Sequence, residues 1–539
     1  MRHLISSLAT LAGLLALTPA HAQPSPSLVI TFSPYFAASA TPVPVGPWAL
    51  FLSIVAIGTA LLIGKRKGAG HWMSLPALAA LLVMGAISLP QASLAERLQR
   101  TISLQTSPAH INLETQTSEQ VLVRNDTSQP VRLESLAIDG AQENLRLFAP
   151  ENTPESTACQ SGAVLSAGQA CVIEVVASPN FALQEGDVVK VQLKDLHPTQ
   201  ASLGYDQIYY HLARKQPDLN RFEPSDPNYV RQIERTELKR AQDYCEDTGR
   251  GKAINHEQRT VSLIEGTGFE CTIGDDAVLA DKLKTVVVGP NGQLYLTDGH
   301  HTFTTLWELS DGGPELPVFV RVAANFSQTN SLASFWRLMQ DNQFVWLFDA
   351  QGQAITAAQL PERLGLDTMA DDPYRSLVYL TRDMGYDNAN VQEFAEFYWG
   401  LWLRQQGIDI HRYNLQDLSP AAVIVNGSAE TIDASTSATS YVAAVRDAAL
   451  AMRQATPGSL IYPGVTTDQL GQNTAPMKQK DWDDLLKEEV WQDDARESDN
   501  RYRNGGKAWY ATGYRLCGAP ATNGQCWLEQ IIVNHQLSQ

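Results

Sequence analysis

The chain has 539 residues, and its 40 Lys and Arg residues are outnumbered by 58 Asp and Glu residues, which gives a formal net charge of −18 at pH 7. Such an acidic chain argues against strong binding to duplex DNA, because sequence-independent binding depends on neutralisation of phosphates by Lys and Arg. The length is sufficient for two or three globular domains besides an N-terminal leader.

Three apolar stretches dominate the N-terminal region of the chain. Residues 1–22 have a basic start, an apolar run and an Ala-His-Ala ending, which predicts a secretory signal peptide. Residues 48–64 and 72–89 are nearly free of charge, and each is about long enough to span the hydrocarbon core of a bilayer. The basic residues 65–67 between them predict a transmembrane helical hairpin over residues 41–90 with a cytoplasmic tip.

This topology would export the chain and anchor it in the bacterial inner membrane, with the large remainder in the periplasm. Two alternatives remain for the apolar runs. They could be buried helices of a soluble domain, or the N-terminal run could be a single uncleaved anchor.

The stretch TPVPVGPWALFLSIVAIGTALLIGKRK, residues 41–67, resembles an exosortase-type sorting signal, in which a Pro-containing motif precedes a spanning helix and basic residues. The resemblance implies an exosortase-type processing enzyme as a partner. Such signals usually lie at the C-terminus, whereas this one lies near the N-terminus, as in a variant class with internal signals. After processing, the rest of the chain would be released or attached at the cell surface.

Residues 101–196 contain short runs of alternating apolar and polar residues, such as EQVLVRN and CVIEVVA, separated by turn signals. This pattern predicts a β-sandwich. The LSAGQAC segment before its last strands resembles the immunoglobulin-like modules of bacterial surface proteins.

The six cysteines form three pairs that are close in sequence: Cys159 with Cys171, Cys245 with Cys271, and Cys517 with Cys526. An oxidising compartment would favour three local disulfides, although six cysteines allow about 15 connectivities and proximity is the only argument for this pairing. No mixed Cys and His spacing predicts a zinc site.

A strand-to-helix turn is the strongest candidate for a reactive site. The β-rich residues 285–288 and 293–297 flank Gly-Pro-Asn-Gly, which predicts a hairpin. Asp298 and Gly299 then precede a helical pattern, so that Asp298 is the expected N-cap. His300 and His301 would lie in the first helical turn, beside free amides and the positive end of the helix dipole.

The same four residues are also expected without any reactive site. In that case the Asp caps the helix, the Gly adopts a positive φ and the two histidines are surface residues. Adjacent histidines also lack the i, i+4 spacing of metal ligands on one helix face. The cofactor is therefore left open: a divalent metal is compatible with the chemistry, but the ligand spacing does not support it.

Three segments together indicate a family: HPTQASLGYDQIYYHLARK, KLKTVVVGPNGQLYLTDGHH and LPVFVRV. In this order they resemble the ParB-like nuclease family of the ParB and sulfiredoxin superfamily. The resemblance continues through DDPYRSLVYLTRDMGY and EFAEFYWGLWLR and covers about residues 190–460. It implies an α+β fold with a ParB/sulfiredoxin-like domain at residues 197–330, a helical part at 331–460 and a C-terminal extension at 461–539 that carries the Cys517 and Cys526 loop.

The turn has histidine where the sulfiredoxin branch needs a catalytic cysteine, and neither the nucleotide motif nor the helix-turn-helix of the partition proteins is present. The resemblance therefore implies an exported phosphodiester hydrolase that acts on single-stranded nucleic acid or a small phosphodiester. A non-catalytic surface protein that binds a phosphate or a nucleotide is the alternative. A nucleotide-dependent small-molecule kinase is less favoured, because ATP is scarce outside the inner membrane.

In the hydrolase hypothesis His300 or His301 acts as general acid or base, and Asp298 orients one imidazole. The amides at the helix start, together with Lys284 or Arg321, would stabilise the charge that develops on phosphorus. The other residues expected to line the anion site are Gly299, Thr199 and Gln200.

Overall fold

The computed structural model describes residues 26–35, 99–114, 117–140, 143–150, 157–216, 234–257, 260–329, 331–389, 391–485, 506–520, 523 and 526–527. The chain divides into two compact units, unit 1 (Met1–Ala177) and unit 2 (Ser178–Gln539). The predicted signal peptide and transmembrane hairpin lie outside the described residues. Among the helices of the described part, none is both long and apolar enough to cross a membrane.

Unit 1 is built from two four-stranded sheets, with strand orders β3-β1-β5-β7 and β2-β4-β8-β6. The strands are β1 (Ser27–Pro34), β2 (Gln99–Leu104), β3 (Ala109–Asn112), β4 (Glu119–Asn125), β5 (Val131–Asp139), β6 (Leu145–Phe148), β7 (Val164–Leu165) and β8 (Ala170–Ala177).

The two sheets of unit 1 share one apolar core. Alternate residues of β4, such as Val121 and Val123, are fully buried and meet Ile30 and Leu133 from the other sheet. The two sheets therefore bury their facing apolar residues against each other. The immunoglobulin-like character of the unit stays a prediction.

Strand β1 was not foreseen in the sequence. It pairs antiparallel with β3 and, along its whole length, with β5. The first unit therefore begins before the predicted hairpin. It also ends earlier than expected, because the strands at residues 188–197 belong to unit 2.

The three predicted disulfides are confirmed, and none of the six cysteines is free. The two cysteines of each bridge are separated by 9 to 26 positions in the sequence. Native disulfides of this kind contribute about 2–4 kcal/mol each.

Unit 2 contains a five-stranded mixed sheet in the order β10-β15-β14-β16-β9. In it β14 pairs parallel with β16 and antiparallel with β15. The strands of this unit are β9 (Val188–Gln192), β10 (Leu196–His197), β11 (Ser202–Leu203), β12 (Ala253–Ile254), β13 (Glu270–Cys271), β14 (Lys284–Val288), β15 (Leu294–Leu296), β16 (Pro317–Asn325), β17 (Ala370–Asp371), β18 (Val423–Asn426), β19 (Ala429–Ile432), β20 (Leu460–Tyr462) and β21 (Val465–Thr466).

Helices supply the rest of unit 2, which makes it the mixed α+β unit that the sequence predicted. They are α1 (Tyr205–Lys215), α2 (Lys239–Asp247), α3 (His300–Glu308), α4 (Leu332–Asp341), α5 (Pro373–Leu380), α6 (Ala395–Gln405), α7 (Tyr441–Gln454), α8 (Gln479–Leu485) and α9 (Lys507–Cys517).

One large core joins the later helices of unit 2. It includes Leu377 of α5, Trp399 of α6, Val445 of α7 and Trp509 of α9. The aromatic stripe of residues 394–404 thus packs inward, as its helical spacing predicted. Helices α8 and α9 of the C-terminal extension contribute residues to this core.

Candidate functional site

The turn between β15 and α3 has the predicted strand-turn-helix form, with one correction. The N-cap of α3 is Gly299, which has φ 93, and not Asp298. Asp298 lies one residue outside the cap, is exposed, and has its Oδ2 atom 3.6 Å from Nζ of Lys284. The left-handed φ favours glycine, and a Cβ at this position would come within 2.5 Å of Cγ of Lys284. Gly299 therefore lets the lysine stem pass directly beneath the turn.

His300 is a buried hydrogen-bond acceptor. Its Nε2 atom accepts from the backbone N–H of Thr199 at 3.0 Å, so the neutral ring carries its proton on Nδ1. Burial lowers the pKa of His300 to about 4, against a smaller opposing effect of the Asp298 carboxylate. The ring is therefore neutral at physiological pH.

His301 is also a buried hydrogen-bond acceptor for a backbone N–H. Its Nε2 atom accepts from the backbone N–H of Gly204 at 2.9 Å. Burial and the nearby charge of Arg375 hold the pKa of His301 well below its usual value. A Cβ at Gly204 would come within 2.9 Å of the backbone nitrogen of Ser376, so only glycine fits here.

Thr199 and Gln200 are buried, and they lie in the segment whose backbone N–H groups donate to the two histidines. The Thr199 hydroxyl donates to the carbonyl oxygen of Leu296, and the Gln200 amide donates to the carbonyl oxygen of Ser202 at 2.7 Å. We call Thr199, Gln200, His300 and His301 the histidine bracket. The bond from Thr199 to His300 joins the Pro-Thr-Gln segment, which follows β10 and is not itself a strand, to the helix start.

A second group of predicted residues is charged and more open to solvent. Lys284 starts β14, Asp298 ends the hairpin, and Arg321 lies on the neighbouring strand β16, opposite Thr285. All three act electrostatically on the same carboxyl group, that of Glu393. We call Lys284, Asp298, Arg321 and Glu393 the charged cluster.

Glu393 is the member of the cluster that sequence reasoning missed. It is partly buried, and desolvation together with Asp298 raises its pKa to about 7, although Lys284 and Arg321 act in the opposite direction. Its position immediately before an aromatic helix gave no signal, because Glu residues commonly occur in the first helical turn.

Phe394 explains how Glu393 reaches the turn. This residue is the N-cap of α6, with φ 58, and its ring centroid lies 6.2 Å from that of His300. The contact brings the start of α6 against the start of α3. Glu393, which precedes Phe394, is thereby placed beside Asp298 and Lys284.

Arg321 has an uncommitted donor at this place. Its Nε atom is buried and, among the described residues, has no hydrogen-bond partner. A guanidinium with a free donor beside Lys284 is suited to an anionic ligand. The described residues contain no group of three His, Cys, Asp or Glu side chains that could hold a metal ion.

The predicted site residues thus separate into two sets. The histidine bracket is buried and hydrogen-bonded to backbone groups, whereas the charged cluster combines two cations, two carboxylates and the first turn of α3. Only the charged cluster contains cations and an exposed residue, Asp298.

Comparison with known proteins agrees with the order of motifs in the sequence. Residues 189–405 match the family model described as "Putative ParB-like nuclease". The match supports the ParB-like domain that the motifs had predicted, and the matched segment contains both residue sets of the site.

Among solved structures, protein Atu1540 from Agrobacterium tumefaciens is similar to this chain, with 20% sequence identity, coverage of 42% of this chain and 82% of that chain, and a TM-score of 0.25. No match was found among curated proteins.

Proposed function

We propose that unit 2 is a phosphodiester hydrolase, a nuclease that acts on single-stranded nucleic acid or on a small phosphodiester. The observation that carries the proposal is the convergence of Lys284, Arg321 and the Glu393 carboxyl group at the start of α3. The match of residues 189–405 to the ParB-like nuclease family supports it.

In this proposal Lys284 and Arg321 bind the phosphate, together with the free amides at the N-terminus of α3. The same groups stabilise the negative charge that builds up on the phosphate oxygens during attack by water. The net charge of −18 disfavours a long duplex, so a short or single-stranded substrate is expected.

We assign the histidine bracket a positioning role in place of the acid or base role that the sequence suggested. Each histidine has its Nε2 atom occupied by a backbone N–H, and burial keeps the rings neutral. The bracket holds the Pro-Thr-Gln segment against α3, so that the helix start remains rigid. Protons must then be transferred by another group.

Arg321→Ala tests the binding step. We expect the variant to raise KM for a single-stranded oligonucleotide by about tenfold or more, because an arginine-phosphate contact in a partly buried site is worth about 1.5–3 kcal/mol. The measurement is cleavage of single-stranded DNA and RNA by the disulfide-bonded protein, with and without a divalent metal.

Arg337→Ala is the matched control, because Arg337 is exposed on α4, outside the charged cluster. It should leave KM unchanged. If wild type binds the oligonucleotide without cleaving it, the domain is a non-catalytic phosphate-binding module. If wild type neither binds nor cleaves, the proposed function is rejected.

We also propose that the chain is exported and anchored in the inner membrane with unit 1 and unit 2 in the periplasm, or at the cell surface after processing by an exosortase-type enzyme. Strand β1 supports this topology. Because β1 pairs with β3 and β5, residues 27–34 and 109–139 must lie on the same side of any membrane. The intervening chain would then cross the membrane an even number of times, as a hairpin does.

Protease treatment of spheroplasts checks the topology. An epitope at the C-terminus is expected to be digested while the cells remain sealed, because the large units lie outside the inner membrane. A cytoplasmic marker protein serves as the control for sealing. Protection of the epitope would contradict export and would restore the kinase alternative.

A further inference from the structure

Glu393 differs from the other carboxylates of the charged cluster in its surroundings. It is partly buried, it precedes the phenylalanine that packs on His300, and it is within electrostatic range of both cations. Asp298, in contrast, is exposed and pairs with Lys284 at 3.6 Å. The Glu393 carboxyl group is therefore the less solvated of the two.

We infer that Glu393 is the general acid of this site and protonates the leaving oxygen when a phosphodiester bond breaks. The inference rests on the proposed function and adds to it the residue that transfers the proton.

The other candidates for this role are less well placed. His300 and His301 have their Nε2 atoms occupied. Asp247 of α2 is also partly buried, and burial raises its pKa to about 6, with Lys215 and then Lys284 opposing the shift. Asp247 lies at the end of α2, where Asp243 and Glu246 also act on it, and not at the turn that carries Asp298.

The reaction balances as follows. A water molecule attacks phosphorus, the bond from phosphorus to the leaving oxygen breaks, and the Glu393 proton passes to that oxygen to give an alcohol. The proton lost by the attacking water goes to solvent, and Glu393 takes a proton back from solvent. The products are a phosphomonoester and an alcohol, with no oxidant, reductant or co-substrate.

The surroundings of Glu393 keep the carboxyl group protonated when it is needed. Burial and Asp298 raise its pKa to about 7, whereas Lys284 and Arg321 lower it. The phosphate charge offsets these two cations once substrate is bound, so the pKa rises further in the complex. Activity that depends on the protonated form is therefore present at low pH and is lost as the pH rises through this value.

Glu393→Gln is the test variant, assayed with two substrates that differ in their leaving group. The leaving group of a single-stranded oligonucleotide is an alkoxide, which needs the proton. The kcat for this substrate should therefore fall by about a hundredfold or more. The leaving group of bis-para-nitrophenyl phosphate is a stable phenolate, which does not need the proton. The kcat for this substrate should fall by less than about tenfold. KM should not rise with either substrate, because Lys284 and Arg321 remain.

The pH profile gives a second readout. Wild type should lose activity on the oligonucleotide above about pH 7, the loss should be absent in Glu393→Gln, and Glu393→Asp should retain it. Asp247→Asn is the matched control and should keep the wild-type profile.

Two results would overturn the inference while leaving the hydrolase assignment intact. One is an equal loss of kcat on both substrates in Glu393→Gln. The other is that the loss of activity at high pH disappears in Asp247→Asn instead of in Glu393→Gln. Absence of cleavage by wild type would instead reject the proposed function. The two failures are therefore distinguishable.

Discussion

Arg515→Ala is expected to destabilise unit 2 by about 3–5 kcal/mol, because it leaves a buried carboxylate without its cation. The Arg515 guanidinium donates to Oδ1 of Asp206 at 2.6 Å and to Oδ2 of Asp371 at 2.7 Å. Asp206 is 2% exposed, and its other oxygen accepts from the Tyr441 hydroxyl. The free energy of unfolding from urea denaturation measures the loss.

Two further variants sharpen this prediction. Arg363→Ala removes an exposed pair with Asp367 on the surface and should cost less than about 1 kcal/mol. The double variant Arg515→Ala with Asp206→Asn should recover part of the loss, since no unpaired charge then remains buried. A loss below about 1 kcal/mol for Arg515→Ala alone would show that the ion pairs of Arg515 are not needed for the stability of unit 2.

The contact between Arg515 and Asp206 also explains a limit of sequence reasoning. The family match ends at residue 405, whereas α9 lies at residues 507–517 and packs its apolar face into the same core. A salt bridge between residues 309 positions apart leaves no local pattern in either segment. The sequence therefore indicated the disulfide loop at the end of α9 without indicating what the helix contacts.

Local features were predictable because they depend on neighbouring residues. The Gly-Pro-Asn-Gly turn predicted the β14-β15 hairpin, and the short spacing of the cysteines predicted the three disulfides. Lys284, Asp298 and Arg321 were also recognised, since they surround one turn. The prediction of Asp298 as the N-cap was wrong, and Gly299 holds that position. The close passage of the Lys284 stem, which requires glycine there, cannot be read from the local sequence.

Glu393 and β1 were missed for the opposite reason. Glu393 reaches the turn only because Phe394 packs against His300, 94 positions earlier in the chain by their residue numbers. Strand β1 pairs with β5 across a segment of about a hundred residues that includes the predicted hairpin. Neither contact follows from periodicity, turn chemistry or charge in its own segment.

His300→Ala is expected to destabilise unit 2 by about 2–4 kcal/mol, because the Thr199 N–H would be left buried without an acceptor and the ring would leave a cavity. His300→Gln should cost less, since its side-chain oxygen can accept from the same N–H. Urea unfolding at pH 7.5 compares the two variants, and an equal loss would contradict the acceptor role.

The pH dependence of the same variants separates a positioning histidine from a catalytic one. Burial lowers the pKa of His300 from its ordinary value of 6.5 to about 4, so its contribution to stability is fully present above 6.5 and declines as the pH falls towards 4. Wild type should therefore lose up to about 3 kcal/mol relative to His300→Gln between these pH values. If His300→Gln instead abolishes cleavage at unchanged stability, the imidazole takes part in the chemistry and the proton role assigned to Glu393 must be shared with it.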